Sequence, residues 1–219
     1  MTPITFWLDP VSPYAYLAFE RLPQVLQGCS YAVSYRPLLF VGLLSHGGQL
    51  GPAEIAPKRD WTYRQVAWLA HRDGVALTMP AAHPFNPLPL LRLLVACGED
   101  GTANRYQCET VLHQVWRSGG AGEDAQALAR ITAQLAPVRD PQSGAVKQAL
   151  RANTDAAIAR GIFGVPTLEL PRSDPALDPL LFWGADALDM VAARLRGEPW
   201  FEADWDRAAG VAAGVQRSR

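Results

Sequence analysis

Apolar and polar positions alternate in residues 3–8, PITFWL: Ile4, Phe6 and Leu8 fall on one side, Thr5 and Trp7 on the other. This period of two predicts a strand, ended by Asp9-Pro10. Ser12-Pro13 then combines a capping oxygen with a proline at the first helical position. Tyr14, Leu17, Ala18, Leu22, Val25 and Leu26 follow near helical spacing, and Pro23 is expected to kink or split that helix. Tyr31, Val33 and Tyr35 alternate with Ala32, Ser34 and Arg36, predicting a second strand parallel to the first.

The middle of the chain changes character. Residues 45–60 read as a loop rich in Gly, Pro and Ala, and helices are expected over 60–73, around 111–116 and over 128–135. Asn86 is expected to cap an apolar helix running to Val95, with Pro87 at its first position. No strand is expected from 42 to 140. Residues 144–160 predict a helix stopped by Gly161. VPTLEL (165–170) and LLFW (180–183) predict an antiparallel hairpin, and GADALDMVAARL a closing helix. Trp200, Phe201 and Trp205 are expected to dock the tail, and the last residues, AAGVAAGVQRSR, to fray. The order is βαβ, a helical block, then αββα. That is an α/β, thioredoxin-like fold formed by residues 1–41 and 141–198, with 42–140 as a large all-helical insertion and 199–219 as a C-terminal tail.

Composition narrows the function. The 219 residues are 49% hydrophobic and 19% charged, with a formal net charge of −1, so neither nucleic acid nor an anionic membrane surface is an expected partner. MTPITFWLDP has no basic n-region and no long apolar core, which makes the cytoplasm the expected compartment. Cys29, Cys97 and Cys108 form neither a redox nor a metal-site pattern, and His46, His71, His83 and His113 show no ligand spacing.

The candidate chemistry lies at Ser12. Taken alone, Ser-Pro at a helix start is a cap. The same free N–H groups and helix dipole also favour an anion there, as they do where they lower the pKa of a reactive cysteine. A serine cannot exchange disulfides, but it can donate a hydrogen bond to a thiolate carried by another molecule. No G-x-S-x-G elbow accompanies Ser12, which ranks a serine hydrolase low.

SPYAYLA (12–18), GIFGVPT (161–167) and FWGADAL (182–188) occur in an order that resembles the 2-hydroxychromene-2-carboxylate isomerases. These are relatives of the kappa-class glutathione transferases within the DsbA-like thioredoxin superfamily. The resemblance spans nearly the whole chain. It implies glutathione as cofactor, its thiolate held by Ser12, and a cis Pro166. It implies that the Val165 backbone pairs with the cysteinyl part, and that Asp186, in the Gly184-Ala185-Asp186 turn, takes the γ-glutamyl amino group. It further implies a small aromatic carboxylate as substrate, met by Lys58, Asn86, Trp61 and Tyr14, with Tyr63 also able to stack on a bicyclic ring. Ala185 and Ala187 stand where the family often has Gln and Arg, and Gln65 where it often has Asp. A homodimer is compatible with the resemblance.

The implied reaction is a glutathione-dependent isomerisation of 2-hydroxychromene-2-carboxylate to trans-o-hydroxybenzylidenepyruvate. The alternatives are a kappa-type transferase and a non-catalytic thiol- or peptide-binding protein of the same fold.

Overall fold

β1 (Thr2–Leu8) pairs on both sides, in a four-stranded sheet of order β2-β1-β3-β4. The computed structural model describes residues 1–120, 124–211 and 214. β2 (Tyr31–Pro37) runs parallel to β1 with Phe6 opposite Tyr35. β3 (Thr167–Leu170) is antiparallel to β1, and β4 (Leu180–Trp183) is antiparallel to β3. The C-terminal ends of β1 and β4 therefore meet the start of β3 at one edge of the sheet, with Trp7 and Trp183 both opposite Thr167.

Between β1 and β2 runs α1 (Pro13–Val25). It is unbroken, a correction to the expected split at Pro23. Proline removes the N–H that would bond the Phe19 carbonyl four residues back. That carbonyl instead accepts Arg105 Nη1 at 3.3 Å, and the same guanidinium lies 4.2 Å from the Phe19 ring centre. A partner from outside the helix thus replaces the missing bond.

Helices fill the span between β2 and β3: α2 (Phe40–His46), α3 (Ala56–Asp73), α4 (Leu88–Cys97), α5 (Arg105–Trp116), α6 (Ala125–Leu135) and α7 (Gly144–Ala159). No strand lies between 42 and 140 among the described residues, apart from a single bridge pairing Tyr35 with Ala103. α2 was not expected, because seven residues give too little periodicity and Leu39 at its start offers no capping oxygen. α3 starts at Ala56, so Lys58, read as a loop residue, belongs to its first turn. Asn86 does not occupy the cap position of α4. The helix starts one residue late, with Pro87 as cap, and Asn86 Oδ1 accepts the Leu88 N–H at 3.1 Å.

After β4 come α8 (Leu188–Leu195), α9 (Trp200–Ala203) and α10 (Trp205–Ala209). Phe201 and Trp205 pack on Phe182 at 5.6 and 5.2 Å between ring centres, docking the tail to β4. Of the residues expected to fray, 212–219 lie outside the described residues except for Gly214.

Both sheet faces are covered. Ile4, Phe6 and Leu8 join the main core with α1, α4, α5 and α8. Trp7 turns the other way, into a second cluster with Leu43, Ala157, Ile162 and Val165. Burying each such side chain stabilises the fold by about 1.5–3 kcal/mol. The three cysteines are free, and Cys97 and Cys108 are buried. No helix among the described residues is long and apolar enough to cross a membrane.

Candidate active site

The start of α1 carries the first group of site residues. Ser12 is its N-cap, in extended conformation, and Ser12 Oγ accepts the Ala15 N–H at 3.2 Å. The Ser12 hydroxyl also reaches across the sheet edge to the Val165 carbonyl at 3.3 Å. Typical O–H···O bonds fall at about 2.7–2.8 Å, so this one is long and weak. Pro13 has no N–H, and the Tyr14 N–H finds no acceptor among the described residues. A weakly engaged hydroxyl and a free N–H thus lie at the positive end of a 13-residue helix.

The Val165–Pro166 peptide is cis, as expected, and His83–Pro84 is a second cis bond that was not. The Val165 N–H also lacks an acceptor among the described residues. The Pro166 carbonyl accepts the Gly184 N–H at 2.9 Å, which joins the cis-proline segment to the Gly184-Ala185-Asp186 turn. Asp186 is not the N-cap of the closing helix. A 3-10 turn (Ala185–Ala187) intervenes, and Ala187 occupies the cap position of α8. The Asp186 carboxylate folds back over Gly184 instead, where a Cβ would lie 2.3 Å from Oδ1. At φ +101°, Gly184 also has a backbone that side-chain-bearing residues rarely adopt. Asp186 is exposed and bonds no other group among the described residues, while Ala185 is buried.

Tyr14 links this group to α3. Its hydroxyl donates to Gln65 Oε1 at 2.6 Å. Burial raises the Tyr14 pKa above the usual phenol range, the nearby Thr62 hydroxyl opposes this, and the Asp186 charge adds to it. Ser12, Tyr14, Val165, Pro166, Gly184, Ala185 and Asp186 are therefore brought together. Lys58, Trp61 and Asn86 make no hydrogen bond to this group, and all three are exposed. Lys58 and Trp61 nonetheless lie one turn before Thr62 and Gln65 on α3, at i−4 from each. Tyr63 is committed elsewhere, its hydroxyl 2.9 Å from His83 Nδ1 and 2.8 Å from the His83 carbonyl.

Sequence reasoning missed the residues that hold the turn before Ser12. Trp116 Nε1 donates to the Pro10 carbonyl at 2.9 Å, and His83 Nε2 to the Val11 carbonyl at 2.7 Å. A carbonyl only accepts, so Nε2 carries the proton. Burial keeps the imidazole below its ordinary pKa, against the pull of that bond. Beneath the turn lies Asp9, with no exposed surface. Burial pushes its carboxyl up to about 7, although the Val11 and Phe40 N–H groups, each at 2.9 Å, draw it down. The only local signal was the Asp-Pro pair, which reads as a strand terminator.

Residues 3–196 match the family model of the DSBA-like thioredoxin domain. Among curated relatives, the 2-hydroxychromene-2-carboxylate isomerase of Sphingobium xenophagum is 27% identical over 204 residues, spanning 88% of this chain and 97% of the relative. Glutathione s-transferase kappa 2 of Caenorhabditis elegans is 25% identical over 203 residues, spanning 86% and 89%. A solved 2-hydroxychromene-2-carboxylate isomerase superposes with a TM-score of 0.72 at 24% identity, covering 93% of this chain and 98% of that one, which shows a shared fold. The four-stranded sheet with its flanking helices agrees with that match, and the chain belongs to the DSBA-like thioredoxin domain family.

Proposed function

We propose that the protein is a glutathione-dependent isomerase of 2-hydroxychromene-2-carboxylate-type aromatic acids, giving trans-o-hydroxybenzylidenepyruvate-type products. One observation carries this reading: a weakly bonded serine hydroxyl, not a cysteine, occupies the helix start opposite the cis-proline segment. Relatives named as this isomerase support it.

The residues present fit glutathione. The Ser12 proton can turn from the Val165 carbonyl to a thiolate, giving up a long bond for a charge-assisted one. The free Tyr14 N–H and the α1 dipole favour the same anion. With the Ser12 proton withdrawn, the Val165 carbonyl and free N–H offer both partners for an extended peptide backbone, in the manner of an added strand. The unpaired Asp186 carboxylate suits an ammonium group. When bound, glutathione supplies a thiolate that adds reversibly to the conjugated double bond, making it a single bond free to rotate. The protein holds that sulfur ionised and positions the substrate beside it. Lys58 neutralises the substrate carboxylate and Trp61, three residues on, takes its ring. Asn86 and the Tyr14 ring complete the substrate side. The cytoplasm, where glutathione is plentiful and thiols stay reduced, is the compartment this chemistry suits.

The relatives named kappa transferase favour a second reading, in which the thiolate is consumed by conjugation. Incubating the enzyme with 2-hydroxychromene-2-carboxylate and substoichiometric glutathione separates the two. Isomerisation is expected to run through many turnovers with free thiol unchanged. Thiol loss in step with product would establish the transferase, and no product would remove both.

A further inference from the structure

We infer that Asp9 is a positioning residue: its buried carboxylate ties the Ser12 turn to the first turn of α2, and protonating it loosens the geometry that presents the Ser12 hydroxyl. The link to catalysis rests on the proposed thiolate site; the anchoring itself does not.

Every polar atom of Asp9 beyond its own N–H is engaged around Ser12. Oδ1 accepts the Val11 N–H at 2.9 Å, and the Asp9 carbonyl accepts the Ser12 N–H at 3.0 Å. Oδ2 accepts the N–H of Phe40, the first residue of α2, at 2.9 Å. α2 has no capping side chain of its own, so Asp9 serves as its cap from 31 residues away. Above the turn, Trp116 and His83 hold the Pro10 and Val11 carbonyls. The turn is thus clamped from above by the helical segments and from below by one carboxylate.

Both lower contacts use one carboxylate oxygen each. Ionised, both oxygens are charged acceptors, whereas protonation leaves one strong carbonyl acceptor and turns the other into a weakly accepting hydroxyl. A protonated Asp9 would therefore weaken one of the two anchors. The two groups bonded to the carboxylate among the described residues, the Val11 and Phe40 N–H groups, are both donors and offer the proton no acceptor. Among the described residues no titratable or charged side chain hydrogen-bonds the Asp9 carboxylate. Tyr14 bonds Gln65, and His83 bonds Val11. Arg36 lies over the Trp7 ring, and Arg160 lies over the same ring while pairing with Glu169. Burial places the Asp9 transition at about 7, within the working range of a cell.

The test follows the Val11 and Phe40 amide resonances of the full chain by heteronuclear NMR from pH 5 to 9. One shared inflection near neutrality is expected, retained in His83→Gln and absent in Asp9→Asn, whose amide does not titrate and has a single oxygen to accept. No shared inflection in the wild type, its loss in His83→Gln, or its persistence in Asp9→Asn would overturn the inference. Should Asp9→Asn fail to fold, the wild type and His83→Gln still decide, since Val11 and Phe40 flank the carboxylate on opposite sides. Glutathione binding is measured on the same samples. Shared titration without any binding would leave Asp9 as the anchor and remove the thiolate reading. Where glutathione binds, its thiolate absorbance at pH 7 is expected to fall several-fold in Asp9→Asn, and an unchanged thiolate fraction would overturn the link to Ser12.

Discussion

Ser12 and Asp9 divide the work at the residue scale. Ser12 places a hydroxyl where a helix start stabilises negative charge, and Asp9 fixes the turn that carries it. Ser12 was legible in the sequence because a cap is a local signal, with Pro13 beside it. Asp9 was not, because its meaning depends on Phe40 and on a core that closes around it. Ionised, Asp9 also opposes stability. Its carboxyl rises from 3.8 to about 7 on folding, so between those values the native state binds more protons than the unfolded chain. Its favourable contribution is complete below pH 4 and is lost as pH rises through 7. Urea unfolding at pH 5 and pH 8 should therefore show a larger loss of stability with rising pH in the wild type than in Asp9→Asn. Equal losses would mean that Asp9 does not titrate in this range. The form that anchors both amides is thus the form that folding disfavours, a pattern found where function outweighs stability.

At the element scale, α1 shows how a local rule yields to a distant partner. Pro23 should break a helix, yet Arg105, on α5, satisfies the Phe19 carbonyl that proline leaves open. Arg105→Ala should destabilise the protein by about 1–3 kcal/mol, through a lost charged hydrogen bond and cation–π contact. In a Pro23→Ala background the loss should be smaller, because the new N–H can take the Phe19 carbonyl. A double-mutant cycle on thermal or urea unfolding measures that coupling, and strict additivity would contradict this account of α1. The strands and long helices were legible because their periods repeat over several turns or residue pairs. α2 and the start of α3 were not. Neither has a side-chain N-cap from its own flank, and the first N–H of α2 is met by Asp9, 31 residues away.

For the whole molecule, the sheet edge is the organising feature. The C-terminal end of β1, the start of β3 and the end of β4 converge there, bringing residues 12, 165 and 184 together from three separate stretches of chain. The order of elements made that convergence legible, since a βαβ unit completed by a hairpin places these three junctions side by side. It did not reveal the clamp from the helical segments, because His83 and Trp116 meet residues 10 and 11 only in the folded chain. Among the described residues, the same convergence leaves Asp186 unpaired, the Val165 and Tyr14 N–H groups without acceptors, and the Ser12 hydroxyl weakly held, all at one edge.

Whether Ser12 holds a thiolate that the protein does not supply is decided by calorimetric titration with glutathione at pH 8. Glutathione is expected to bind the wild type, and S-methylglutathione, which has no thiolate to present, to bind poorly. Affinity should fall roughly tenfold or more in Ser12→Ala, the loss of one hydrogen bond to a charged group at about 1.5–3 kcal/mol. Equal affinity of the wild type and Ser12→Ala for glutathione, or no binding at any reachable concentration, would contradict a thiolate site at Ser12 and return that residue to the role of a helix cap.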